Sequence, residues 1–77
     1  MKENEIKKIF ASNLRAERAR INYTQEKLAE LCGVTTEYIS KIENEKACPT
    51  ILVAANIAIT LGVTLDTLIP PDKLKSL

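Results

Sequence analysis

The stretch from Thr24 to Glu43, TQEKLAELCGVTTEYISKIE, decides the fold. It reads as two short helices separated by a tight turn at Gly33. Thr24 can N-cap the first of them, its hydroxyl accepting an otherwise orphaned N–H of the first turn. Glu26 then lies near the positive end of the helix dipole. Leu28, Leu31 and Cys32 fall at i, i+3 and i+4 and make an inward face. Ala29 sits where the two helices should cross, and its small side chain lets them approach. Gly33 stands just past the helix end, where positive φ is often required. Val34 is expected to drop into the core. Thr35 caps the second helix of the pair, and Ile39 and Ile42 point inward. Thr36, Glu37, Ser40 and Lys41 are left on the outer side. A second helix held out in this way is a probe, and the usual target of such a probe is the DNA major groove.

Outside this stretch the pattern is helical throughout. A first helix is expected over about 4–21, with Ile6, Ile9, Phe10, Leu14 and Ile21 on one face and a turn at Asn22. The pair itself covers about 25–32 and 36–44. A loop over 45–49 follows. Thr50 can cap a fourth helix, about 51–61, ending at Gly62. Thr64 can cap a short fifth, about 65–69, stopped by Pro70 and Pro71. The fourth helix, ILVAANIAITL, is apolar nearly all round. It is either a central core helix with small residues at crowded crossings, or it turns one side to a partner subunit.

The order Gln25, Ala29, Gly33, Val34, Ile39, Ile42, Glu43 resembles the helix-turn-helix of the Cro/C1-type phage repressors and their bacterial relatives, the XRE family. The resemblance runs from about Phe10 to Ile69. It includes Leu14-Arg15-x-x-Arg18, Pro49-Thr50-Ile51, Ile57-Ala58 and Leu61-Gly62-Val63-Thr64-Leu65-Asp66-x-Leu68. It implies an all-α, compact five-helix DNA-binding domain over 1–71, with 72–77 as a short tail. It also implies an ion pair between Arg18 and Glu43, joining the first and third helices. Small members of the family commonly pair through the C-terminal region, which here points to Leu65, Leu68 and Ile69 as a dimer surface.

If the third helix enters the major groove, its early outward residues reach base edges. Thr36 can give or accept a hydrogen bond, and its methyl can meet that of thymine. Glu37 can accept from a cytosine amino group. Ser40 and Lys41 lie one turn on, and Lys41 can reach guanine or a phosphate. Gln25 opens the second helix, whose N-terminus would hold a phosphate through backbone N–H groups and the side-chain amide. Thr24 mainly caps, with a phosphate contact as a further role. The Tyr38 ring can pack beside the second helix while its hydroxyl reaches a phosphate. Asn44, Lys46 and Arg15 are further candidate backbone clamps, whereas Lys7 and Lys8 read as a solvated basic face.

Two features run against the pattern. The chain carries 11 basic and 10 acidic residues, a net charge of +1. Between Asn22 and Lys46 three lysines (27, 41, 46) face five glutamates (26, 30, 37, 43, 45), so the motif is net −2 where a DNA reader normally shows a basic stripe. The basic excess lies on the first helix. Glu45 stands where the family usually has Gly at a left-handed turn. Either Asn44 takes that conformation or the loop is built differently.

A chain of 77 residues is one small domain, which buries only about 60% of its unfolded surface and is often helped by dimerisation. With 45% hydrophobic and 27% charged residues it is expected to fold rather than stay disordered. The charged N-terminus and the lack of a long apolar run argue against a signal peptide or membrane span, so the expected setting is the cytoplasm. Cys32 and Cys48 without any histidine make a metal site improbable, and Cys32 reads as a small core residue. No cofactor, small-molecule ligand or catalysis is expected: there is no phosphate loop and no nucleophile with an evident base.

Two functions remain. One is a sequence-specific transcriptional regulator, a repressor by the resemblance. It would bind double-stranded DNA as a homodimer on a short inverted repeat, with the third helices in successive major grooves about 34 Å apart. The other is a protein-interaction module of the same fold, antitoxin-like or an anti-regulator, working through the fourth and fifth helices.

Overall fold

A computed structural model describes residues 2–72, so 73–77 of the expected tail lie outside the described residues. Five helices follow in order: α1 (Lys2–Arg20), α2 (Gln25–Cys32), α3 (Thr36–Glu43), α4 (Ile51–Leu61) and α5 (Leu65–Leu68). No strand occurs among the described residues. α1 therefore starts two residues earlier and ends one residue earlier than its apolar pattern indicates. α3 and α5 also stop one residue short, with Asn44 and Ile69 as their C-caps.

The starts of the helices are local chemistry. The hydroxyls of Thr24, Thr35 and Thr50 accept from the backbone N–H of Lys27, Tyr38 and Val53 at 3.0, 3.0 and 3.2 Å. Thr64 departs from expectation. It has the extended backbone of an N-cap but makes no side-chain capping bond, and its hydroxyl lies 3.5 Å from that of Thr67.

Four helices stop by one device. Asn22, Gly33, Glu45 and Gly62 are left-handed, with φ of 59°, 71°, 63° and 74°. Each donates its N–H to the carbonyl three residues back, and the residue after it donates to the carbonyl five back. The second of these bonds are Tyr23 to Arg18, Val34 to Ala29, Lys46 to Lys41 and Val63 to Ala58, at 2.8–3.0 Å. This is the Schellman motif, which satisfies two carbonyls that the helix end would leave orphaned. Glycine accepts the left-handed backbone freely and asparagine tolerates it. Glu45 does neither, yet it takes the position itself, and Asn44 stays at φ −99°. The loop thus turns left-handed at a residue ill suited to it.

The core is a single cluster in which Leu14, Leu28, Ile39, Ile42, Ile57 and Leu68 are fully buried. Phe10, Ala29, Cys32, Ala54, Ala58 and Leu61 complete it. Ile6, Ile9 and Ile21 of the expected α1 face are only half-buried, and Ala11 is buried instead. Val34 is likewise half-buried, packed against the cluster rather than inside it. Leu31 is not inward at all: it is 45% exposed. At roughly 100° per residue, Leu28, Ala29 and Cys32 span one arc of α2, and Leu31 falls about 105° from its centre. The close crossing at Ala29 selects that arc. α4 buries Ala54, Ile57, Ala58 and Leu61 but leaves Ile51, Leu52 and Ile59 76–78% exposed.

Among the described residues, one charged side chain is inside. Glu43 is 2% exposed, and both oxygens of its carboxylate are claimed. Oε2 accepts from Arg18 Nε at 2.8 Å, and Oε1 accepts from Arg18 Nη2 at 3.1 Å and from Gln25 Nε2 at 2.9 Å. Arg18 Nη1 also donates to the Tyr23 carbonyl at 2.8 Å. Among the described residues no buried side-chain polar atom lacks a partner.

Removing one partner of such a pair strands a buried charge, at a cost of about 3–5 kcal/mol where burial is deep. Arg18→Ala is therefore expected to lose about 3 kcal/mol in urea unfolding. An unchanged midpoint would mean that the pair does not hold α1 to α3. Glu45→Gly relieves a left-handed non-glycine residue and should gain about 0.5–1 kcal/mol, while Glu45→Ala should gain nothing. Equal midpoints for the two variants would place no strain at Glu45.

Candidate nucleic-acid interface

α3 is held by its inner edge. Ile39, Ile42 and Glu43 are buried, and Tyr38 packs half-buried against the core. Thr36, Glu37 and Lys41 stand exposed on the other side, with Ser40 half-buried between the two faces. The N-termini of α2 and α3 open onto one polar cleft lined by Thr24, Glu26, Lys27, Thr35 and Thr36 among others. An eight-residue helix presented along its length, beside a second helix N-terminus, can place side chains against base edges and backbone N–H groups against phosphates.

The residues expected to clamp the DNA backbone divide into two sets. Thr24 and Lys46 are exposed. Half-buried Gln25 and the exposed Arg15 and Asn44 have polar atoms already bonded to α3. Gln25 donates to the Glu43 carboxylate. Arg15 Nη1 donates to the Glu43 carbonyl, closing the end of α3 from α1. Asn44 Nδ2 folds back on the Ser40 carbonyl at 2.9 Å and on the Ser40 hydroxyl at 3.3 Å. Gln25 and Arg15 tie the end of α3 to α2 and α1, whereas the Asn44 bonds close the last turn of α3 itself.

Two further ties carry no obvious sequence signal. Arg20 Nη2 donates to the Leu61 carbonyl at the end of α4, at 3.3 Å, while its Nε pairs with Glu17 at 2.6 Å. Asn13 Nδ2 donates to the Leu68 carbonyl at 3.0 Å. The arginines of α1 are thus spent on carboxylates and carbonyls within the chain. Lys27 lies 3.5 Å from Glu30. Among the described residues no acid lies within ion-pair distance of Lys41 or Lys46. The Lys46 N–H donates to the Lys41 carbonyl, which brings the two backbones together at the end of α3.

The expected dimer surface needs one correction. Leu68 is fully buried in its own core, so it cannot meet a partner. Leu65 and Ile69 are half-buried against that core, and Ile69 helps line an apolar cavity of about 130 Å³ with Ile6, Phe10 and Ile51. The described residues hold no cluster of potential metal ligands, and no helix among them is long and apolar enough to cross a membrane. Cys32 is buried, with its sulfur 3.5 Å from the Thr60 hydroxyl, and Cys48 is exposed.

Residues 14–68 match the family model described as Helix-turn-helix. The chain is 31% identical over 65 residues to the uncharacterized HTH-type transcriptional regulator YazB of Bacillus subtilis, covering 84% of this chain and 94% of that one. It is 32% identical over 72 residues to the control protein C.SmaI of Serratia marcescens, covering 94% of this chain and 86% of that one. A crystal structure of the hypothetical transcription factor NHTF from Neisseria superposes with a TM-score of 0.82 at 28% identity, over 97% of this chain and 88% of that one. The family is one of transcriptional regulators and not of enzymes. Its matched segment takes in α2 and α3 whole, with the α1 arginines that hold them. By fold, motif and relatives together, the chain belongs to the Cro/C1-type, or XRE, helix-turn-helix family of transcriptional regulators.

Proposed function

We propose that this protein is a sequence-specific repressor that binds a short inverted repeat as a homodimer, with α3 of each subunit in the major groove. The observation that carries this reading is the division of α3 into a locked inner edge and an outer edge of Thr36, Glu37 and Lys41. Those three, with Ser40, are assigned to base edges. Thr24, Lys46 and the N-terminus of α2 are assigned to phosphates, with the Tyr38 hydroxyl as a further contact. Gln25 and Arg15 act chiefly by aiming α3 and Asn44 by closing its last turn, and each is assigned a phosphate contact as a second role. A subunit only 34 Å in its longest dimension carries one such helix. Two copies are needed to read successive grooves about 34 Å apart.

The electrostatics give this reading a character of its own. Among the described residues, the candidate interface cations held by neither a carboxylate nor a carbonyl of the chain are Lys41 and Lys46, so a dimer would neutralise about four phosphates through them. Affinity should then fall with salt at a slope of only about −4 in log–log form, since each phosphate contributes about −0.9. Binding would depend on base contacts and dimer pairing more than on bulk attraction.

Selection from a randomised duplex pool, followed by gel shift, is the test. The expected result is saturable, sequence-dependent retention on an inverted repeat. Lys46→Ala should weaken all sites alike and flatten the salt slope by about 2 per dimer, whereas Thr36→Ala should change which sequence is preferred. No retention even at low salt would overturn the reading and favour a protein-interaction module working through α4 and α5.

A further inference from the structure

α4 carries two complete helical stripes. Ala54, Ile57, Ala58 and Leu61 form the first, spaced i, i+3, i+4, i+7, and lie in the core. Leu52, Ala55, Asn56 and Ile59 form the second, with the same spacing, on the outside. Leu52 and Ile59 are 78% and 76% exposed. A stripe of this kind on a surface helix is the pattern of a helix–helix seam.

We infer that the outer stripe of α4 pairs with the same stripe of a second copy of this chain. The pairing is antiparallel about a two-fold axis passing at Ala55 and Asn56, with Leu52 of each copy against Ile59 of the other. This rests on the homodimer proposed above and names its surface.

The occupant follows from three features of the stripe. The first is charge. A two-fold interface sets each patch against itself, so any net charge on it repels its own image. In a chain with 27% charged residues, α4 has none. The second is shape. The large residues stand at the two ends of the stripe and the small Ala55 at its centre, so an antiparallel partner brings large against large at both ends and close approach at the crossing. Asn56 is the polar member, and its amide already donates to the Cys32 carbonyl of its own chain at 3.0 Å. The third is place. A standard interface takes about 800 Å² on each partner, with an apolar centre and a polar rim. On a monomer that exposes 4890 Å², Leu52 and Ile59 are among the few large apolar side chains left outside and would form that centre, with the flanking surface as rim. None of Thr36, Glu37, Ser40 or Lys41 belongs to it, so pairing leaves the reading residues uncovered.

The antiparallel register makes a charge-swap test decisive. Sedimentation of the full chain is compared for wild type, Leu52→Lys, Ile59→Glu and the double variant, with circular dichroism to check that each is folded. Wild type should sediment as a dimer. Each single variant should weaken dimerisation at least tenfold, because it places like charges near one axis and buries them against an aliphatic side chain. The double variant sets the introduced lysine of each copy against the introduced glutamate of the other, at both ends of the seam, and should recover the dimer. Single variants that remain dimeric and keep their gel shift would overturn this surface while leaving a dimeric DNA reader intact. Single variants that dissociate without recovery in the double would overturn the antiparallel pairing. A monomeric wild type that still binds DNA would overturn both the surface and the homodimer reading, but not DNA binding.

Discussion

The structure depends on one buried carboxylate. Glu43 ends α3, and burying it is tolerable only because its oxygens are met by Arg18 from α1 and Gln25 from α2. Three helices therefore converge on one charge. The same end of α3 is met a second time through its backbone, where Arg15 takes the Glu43 carbonyl. Hydrophobic contacts among Leu14, Leu28, Ile39 and Ile42 hold the helices together but leave them free to slide by small amounts. A forked guanidinium on a carboxylate is directional, so it fixes the angle as well as the distance.

This use of charge also accounts for the electrostatic oddity of the chain. The first helix looks like a basic surface when its residues are counted. In the folded molecule Arg18 neutralises a buried acid and takes the Tyr23 carbonyl between α1 and α2, while Arg15 and Arg20 close helix ends at Glu43 and Leu61. Helix C-termini carry partial negative charge, and arginine's planar fork suits them. Among the described residues, the lysines at 41 and 46 are left exposed and without an acidic partner beside α3.

What is legible in the sequence is whatever is decided within a few residues. Threonine caps at 24, 35 and 50 and glycine stops at 33 and 62 follow from chemistry that spans one turn, and they are readable with their helices. Tyr38 and Cys32 fall where a helical period puts them. The misreadings involve longer range or competing arcs. Leu31 keeps the right spacing from Leu28, but the crossing at Ala29 rotates the helix away from it. Leu68 is apolar near the end of a small domain, which fits core and interface equally until α5 is seen against α1. The destinations of Arg15 and Arg20 lie 28 and 41 residues away, and nothing in their neighbours announces a carbonyl there. Glu45 stands out in the sequence as a departure, but its left-handed backbone is dictated by the two bonds that end α3 and not by its own preference.

The ties at the end of α3 bear on whether the motif can be moved. The segment from Thr24 to Glu43 looks self-contained, with its own caps and its own turn. Yet the residues that aim its second helix, Arg15 and Arg18, lie upstream of it. Grafted onto another scaffold, the segment would keep its outline and lose its aim, and it would expose an unpaired carboxylate as well. The transplantable unit begins at Leu14, one full helix turn before the arginine that Glu43 requires.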